Sequence, residues 1–149
     1  MTIKDLKPTE LWNYFYEITQ IPRASKKEEK ILAYLLDFAK KHNLEAKQDK
    51  AGNILITKEA TKGKENIPTI ILQSHVDMVC EKNADVEHNF DTDPIETVIE
   101  GDWLKAKGTT LGADDGIGVA AQLAVLASKD IAHGKIEALF TIDEETGLT

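Results

Sequence analysis

The sequence has a single cysteine, no long apolar run and fewer basic than acidic residues. One cysteine, Cys80, excludes an intramolecular disulfide and agrees with a reducing compartment. No hydrophobic stretch approaches the roughly 20 residues needed to cross a bilayer, and Met1-Thr2-Ile3-Lys4-Asp5 lacks the apolar segment of a signal peptide. Lys and Arg number 18 against 26 Asp and Glu, a net charge of −8. That balance disfavours nucleic acid as a partner and fits a protein that attracts divalent cations. Repeats, linkers and low-complexity segments are absent, as are a kinase-type glycine loop and a serine nucleophile elbow. A cytoplasmic protein with no membrane partner is expected.

What is present is enough for one α/β core and too little for two full domains, with 149 residues of which 42% are hydrophobic. Leu11, Phe15 and Ile18 fall on one face of a helix from Thr9 to Thr19, behind Pro8. Ser25-Lys26-Lys27-Glu28 has the spacing of a capping box ahead of Ile31, Leu35 and Phe38, which predicts a second helix ending near Asn43. Leu44 to Gln48 and Asn53 to Thr57 read as a hairpin turning at Ala51-Gly52. Thr69 to Ser74 is nearly continuous in apolar residues, as expected of a strand buried on both faces of a sheet. Residues Glu81 to Pro94 read as a surface excursion. A second hairpin, Thr97 to Ile99 with Trp103 to Ala106, turns at Gly101. Ile117 to Ala127 reads as a buried helix and Ile136 to Ile142 as another interior strand.

Three clusters then stand at the ends of these segments: Ser74-His75-Val76-Asp77, Gly112-Ala113-Asp114-Asp115-Gly116 and Asp143-Glu144-Glu145. In open α/β sheets, ligands bind beyond the carboxyl ends of the strands, where helix amino ends also point. His75 and Asp77, two apart in extended chain, project to the same side. The imidazole can then bind a metal through one nitrogen while Asp77 accepts a hydrogen bond from the other. The plainer reading is a strand-end pair serving solubility or capping. Asp114 can cap or stabilise the helix it precedes, or use its two oxygens to hold two metals roughly 3.5–4 Å apart. Of the adjacent Glu144 and Glu145, one can ligate a metal while its neighbour handles protons, a division that suits metal-assisted hydrolysis. Cys80 is either a soft ligand or, more in keeping with a lone cysteine, a small buried hydrophobe. His42, His88 and His133 have no partner motif and read as surface residues.

At Ile21-Pro22-Arg23, Leu72 to Lys82, Asp93-Pro94-Ile95, Gly108 to Gly118 and Phe140 to Thr149 the chain resembles the di-zinc peptidase family. That family includes carboxypeptidase G2, acetylornithine deacetylase and the tripeptidases, and the best match is its aminoacyl-histidine dipeptidase branch. The resemblance implies a three-layer α/β fold with a central mixed sheet flanked by helices. It further implies that His75 ligates one zinc with Asp77 as its orienting partner. Asp114 would bridge both zincs, Glu144 would be the general base and Glu145 would ligate the other zinc. A cis peptide at Asp114-Asp115 belongs to the same pattern. Many relatives carry Lys two residues after the bridging Asp, where this chain has Gly116, as the aminoacyl-histidine branch does.

The resemblance therefore implies a two-zinc dipeptidase acting on Xaa-His or carnosine-like peptides, with Co2+ or Mn2+ as alternative metals. Family members are roughly three times as long, take a further Asp and His from downstream sequence, and carry a lid domain that contributes to dimerisation. Residues 1–149 are accordingly expected to be the first part of a catalytic domain, inactive by themselves, from a homodimeric parent. Another amidohydrolase of the family, such as a tripeptidase, aminoacylase or deacetylase, and a non-catalytic metal-binding domain are the alternatives.

Overall fold

The structure, a computed structural model, describes residues 1–148; Thr149, the last residue of the final resemblance stretch, lies outside them. Helices α1 (Thr9–Thr19) and α2 (Glu29–Lys41) come first. The strands β1 (Glu45–Gln48), β2 (Ile54–Lys58) and β3 (Ile70–His75) follow. A hairpin of β4 (Thr97–Glu100) and β5 (Trp103–Ala106) precedes helix α3 (Ala113–Ala127) and strand β6 (Ile136–Thr141). These bounds lie within a few residues of those expected from periodicity, because apolar positions spaced by three or four in the helices and by two in β2 and β6 are the ones buried. α1 buries Phe15 and Ile18, and α2 buries Ile31, Leu35, Phe38 and Ala39.

The main sheet is mixed, in the order β1-β2-β6-β3. β2 pairs antiparallel with β1 and β6, whereas β3 and β6 are parallel and joined by a crossover that includes α3. Register places Ile54 opposite Phe140 and Ile56 opposite Ala138, all four fully buried. They share one apolar cluster with Phe15 and Ile18 of α1, Ile31 and Leu35 of α2, and Val119 and Leu123 of α3. The helices thus flank the sheet as expected, and the buried apolar positions of the sheet (Ile54, Ile56, Ile136, Ala138 and Phe140) fall on a single face. Truncating Phe140 at the centre of this cluster, as Phe140→Ala, is expected to cost about 3–5 kcal/mol. A denaturation midpoint that hardly moved would contradict this placement of the core.

Two expectations are corrected. β3 is not buried on both faces: only β6 pairs with it among the described residues, so Ile70 and Ile71 are 53% and 66% exposed. A run of apolar residues reports that a strand is hydrophobic but not whether it has two neighbours. Ser25 and Glu28 do not form a capping box either, since α2 starts at Glu29 with no side-chain cap. The Ser25 hydroxyl instead donates to Asp77 Oδ2 at 2.6 Å, and Glu28 Oε1 accepts the Asp143 N–H at 2.9 Å. Both side chains are taken by residues far along the chain, and both partners belong to the clusters singled out above.

Candidate metal centre

β3 and β6 end side by side, with His75 opposite Thr141. The segments that follow them therefore leave the sheet at the same edge. The turn into α3 reaches the same place. Asp114 and Asp115 have non-helical dihedrals, joined by a cis peptide bond as the resemblance implies, and the regular helix begins after them. One nitrogen or oxygen of each of His75, Asp114 and Glu145 lies within 4.8 Å of the others. His75 Nε2 is 3.0 Å from Asp114 Oδ1 and 3.8 Å from Glu144 Oε2. Glu144 thus borders the three-residue group without belonging to it.

His75 is buried while the Asp114 carboxylate is open to solvent. His75 Nδ1 is 3.1 Å from the Asp77 carbonyl oxygen and 3.2 Å from Asp77 Oδ1. Both are acceptors, so Nδ1 carries the proton and Nε2 is turned toward Asp114. Burial works against the imidazolium. The Asp114 hydrogen bond, together with the charges of Asp77 and Asp115, outweighs it and raises the His75 pKa above its ordinary value.

Asp77 is fully buried and ties the loop at Ser25 and the turn at Glu144-Glu145 to the end of β3. Besides the Ser25 hydroxyl and His75, it accepts the backbone N–H of Glu144 at 3.1 Å and of Glu145 at 3.2 Å. Burial favours its neutral form, but the hydrogen bonds from Ser25, Glu145 and Glu144 and the charge of His75 hold its carboxyl below the ordinary 3.8. A depressed carboxyl contributes stability that is present above the unfolded pKa and lost as pH falls through the folded one. The stability advantage of wild type over Asp77→Asn should therefore be level above about pH 5 and shrink below pH 4. Denaturation midpoints across that range measure it, and a difference unchanged by pH would contradict the hydrogen bonding described.

Asp143 turns inward. At φ 56° it is in the left-handed region, is buried, and pairs with Lys26 at 2.6 Å. It also accepts from the Thr146 hydroxyl. Of the acidic triplet, then, Asp143 anchors the turn while Glu144 and Glu145 lie beside His75. Cys80 stands apart from these groups, with its thiol near the Met78 carbonyl oxygen at 3.7 Å and its pKa pushed up by burial. His42, His88 and His133 are half-buried rather than on the surface. Sequence reasoning missed Arg23, Ser25 and Glu28 as supports of the site. The Ile21-Pro22-Arg23 stretch was the one signal pointing to any of them.

Nitrogen and oxygen donors from one imidazole and two carboxylates suit zinc and other divalent first-row ions, and the orienting bond to Nδ1 is the usual companion of a metal-binding histidine. The residues fit a metal.

No family profile matches the chain. Over 146 residues it is 47% identical to the cytosol non-specific dipeptidase of Escherichia coli, an alignment covering 98% of this chain and 30% of that protein. The aminoacylhistidine dipeptidase of Vibrio alginolyticus superposes with a TM-score of 0.98 and 50% identity, over 100% of this chain and 30% of the other. The chain is homologous to these two dipeptidases. A tripeptidase from Staphylococcus aureus superposes at a TM-score of 0.76 and 28% identity, over 93% of this chain and 37% of that one. The chain spans about 30% of the length of the first two relatives.

Proposed function

We propose that this chain is the first part of the catalytic domain of a two-zinc dipeptidase that cleaves Xaa-His peptides. The observation that carries the proposal is the convergence of His75, Asp114 and Glu145 within 4.8 Å, with Glu144 beside them and Asp77 behind His75. In this reading His75 and Glu145 would each hold one metal and Asp114 would contribute to both. When bound, the metals supply a Lewis-acid centre that polarises the scissile carbonyl and acidifies a water.

The remaining work falls to side chains. Asp77 keeps the His75 proton on Nδ1, so that Nε2 is the coordinating atom. Glu144 accepts the proton of the attacking water as the water oxygen bonds to the carbonyl carbon. It then delivers that proton to the amine as the C–N bond breaks, leaving a carboxylate and a free amine. Separating ligand from base on adjacent residues keeps the base free of the metal.

The non-specific dipeptidase name of the E. coli relative supports a dipeptide substrate, and the aminoacylhistidine dipeptidase name of the V. alginolyticus relative supports a carboxyl-terminal histidine in it. The 30% coverage supports a longer parent enzyme. A cytoplasmic location is supported by the cytosolic relative, and no helix among the described residues is long and apolar enough to cross a membrane.

The test is hydrolysis by the full-length enzyme of a panel of Xaa-His dipeptides and of dipeptides without histidine, with zinc present and after chelation. Zinc-dependent cleavage that is fastest for Xaa-His is expected. Zinc-dependent cleavage without that preference would remove the histidine specificity, and cleavage indifferent to chelation would remove the metal mechanism.

A further inference from the structure

Arg23 is the largest of the fully buried side chains, and among the described residues it makes no ion pair with a carboxylate. A buried guanidinium without a carboxylate is costly, so its hydrogen bonds must be numerous and well placed. They are. Nη1 donates to the Val76 carbonyl at 2.9 Å and to the Asp77 carbonyl at 3.3 Å, and Nη2 donates to the Gly112 carbonyl at 2.5 Å. The Arg23 backbone adds another contact, its carbonyl accepting the Met78 N–H at 3.1 Å. One planar fork thus spans the segment after His75 and the turn before Asp114. The Asp77 carbonyl that it holds is the one that also accepts from His75 Nδ1. Burial lowers the Arg23 pKa, but only to about 10, so the group remains a cation near neutral pH.

The two glycines beside Asp114 follow from this packing. A Cβ on Gly112 would lie 2.5 Å from Arg23 Nη2 and 2.7 Å from Met78 Sδ, and one on Gly116 would lie 2.6 Å from Arg23 Nη2. Gly112, at φ +75°, also needs its glycine for the backbone. Gly116 has no such need. Its lack of a side chain is explained by the guanidinium alone, apart from a looser 3.1 Å approach to Phe15.

We propose that Arg23 is the positioning residue that sets the spacing between His75 and Asp114, with Gly112 and Gly116 shaped to admit its guanidinium. The inference rests on reading the site as a metal centre. Arg23 is not one of the candidate ligands and acts through the backbone carbonyls of Val76, Asp77 and Gly112, which flank His75 and Asp114.

The experiment compares wild type, Arg23→Met, Gly116→Ala and the double variant in the full-length enzyme. It reads the zinc dissociation constant by competition with a chromogenic chelator, kcat and KM for an Xaa-His dipeptide at saturating zinc, and Tm. Arg23→Met is expected to raise the zinc dissociation constant about 10–100-fold, the range for loss of a group that orients ligands, and to lower kcat with little change in KM. Gly116→Ala removes no hydrogen bond and in a helix would ordinarily stabilise. It too should weaken zinc binding by about tenfold or more in wild type but hardly at all in the Arg23→Met background, since only the guanidinium makes it harmful. This cycle keeps the test decisive if Arg23→Met folds poorly, because Gly116→Ala alone must then weaken zinc. Variants that lower Tm but leave zinc affinity and kcat at wild-type values would overturn the inference, as would additive effects in the cycle. Wild type that bound no zinc would overturn the metal-centre reading itself and this inference with it.

Discussion

Glu144→Gln is expected to slow dipeptide hydrolysis at least about a hundredfold, the lower range for acid-base catalysis, while leaving bound zinc unchanged. The amide preserves the size of the side chain and removes its ability to accept a proton. Glu144 Oε2 stands 3.8 Å from His75 Nε2 but outside the group formed by His75, Asp114 and Glu145. Its backbone N–H, which Asp77 accepts, is untouched by the substitution. The geometry of the turn should therefore persist and the loss should appear in kcat. Metal content measured beside turnover decides between roles. Near-normal turnover would exclude Glu144 as the base, and loss of zinc would make it a ligand.

Asp114→Ala should have the opposite signature, with both metals lost and activity with them. Asp114 is the residue proposed to be common to both sites, so removing it takes a ligand from each. Its side chain is 88% exposed and bonds only to His75 among the contacts described, so folding should be little affected. Elemental analysis of the purified variant is expected to show almost no zinc and its melting profile without metal to match that of wild type. A variant that kept one tightly bound zinc per chain would show that Asp114 is not shared.

Much of this was legible because it is local. Apolar spacing located α1, α2, α3 and the strands, and the rule that sites gather beyond strand carboxyl ends pointed His75, Asp114 and Glu145 to one edge of the sheet. What was not legible depends on contacts between distant segments. Arg23 reaches Gly112 across 89 positions and Glu28 reaches Asp143 across 115. Ser25-x-x-Glu28 has the local pattern of a capping box, and only the fold reveals that Asp77 and Asp143 take both side chains. The same limit explains β3: its composition is that of an interior strand, while its exposure is set by which strands pair with it. Asp143 could not be separated from its acidic neighbours by composition, since the left-handed turn at that residue is what sends it inward and the other two outward.

The central claim is that His75, Asp114 and Glu145 hold metal, and the most direct measurement is anomalous diffraction at the zinc edge from crystals of the full-length enzyme grown with zinc. Two peaks are expected, one bonded to His75 Nε2 and one to Glu145, with Asp114 contacting both. Zinc bound elsewhere, for example among the buried carboxylates of Glu28, Asp77 and Asp143, with none at His75 would contradict it.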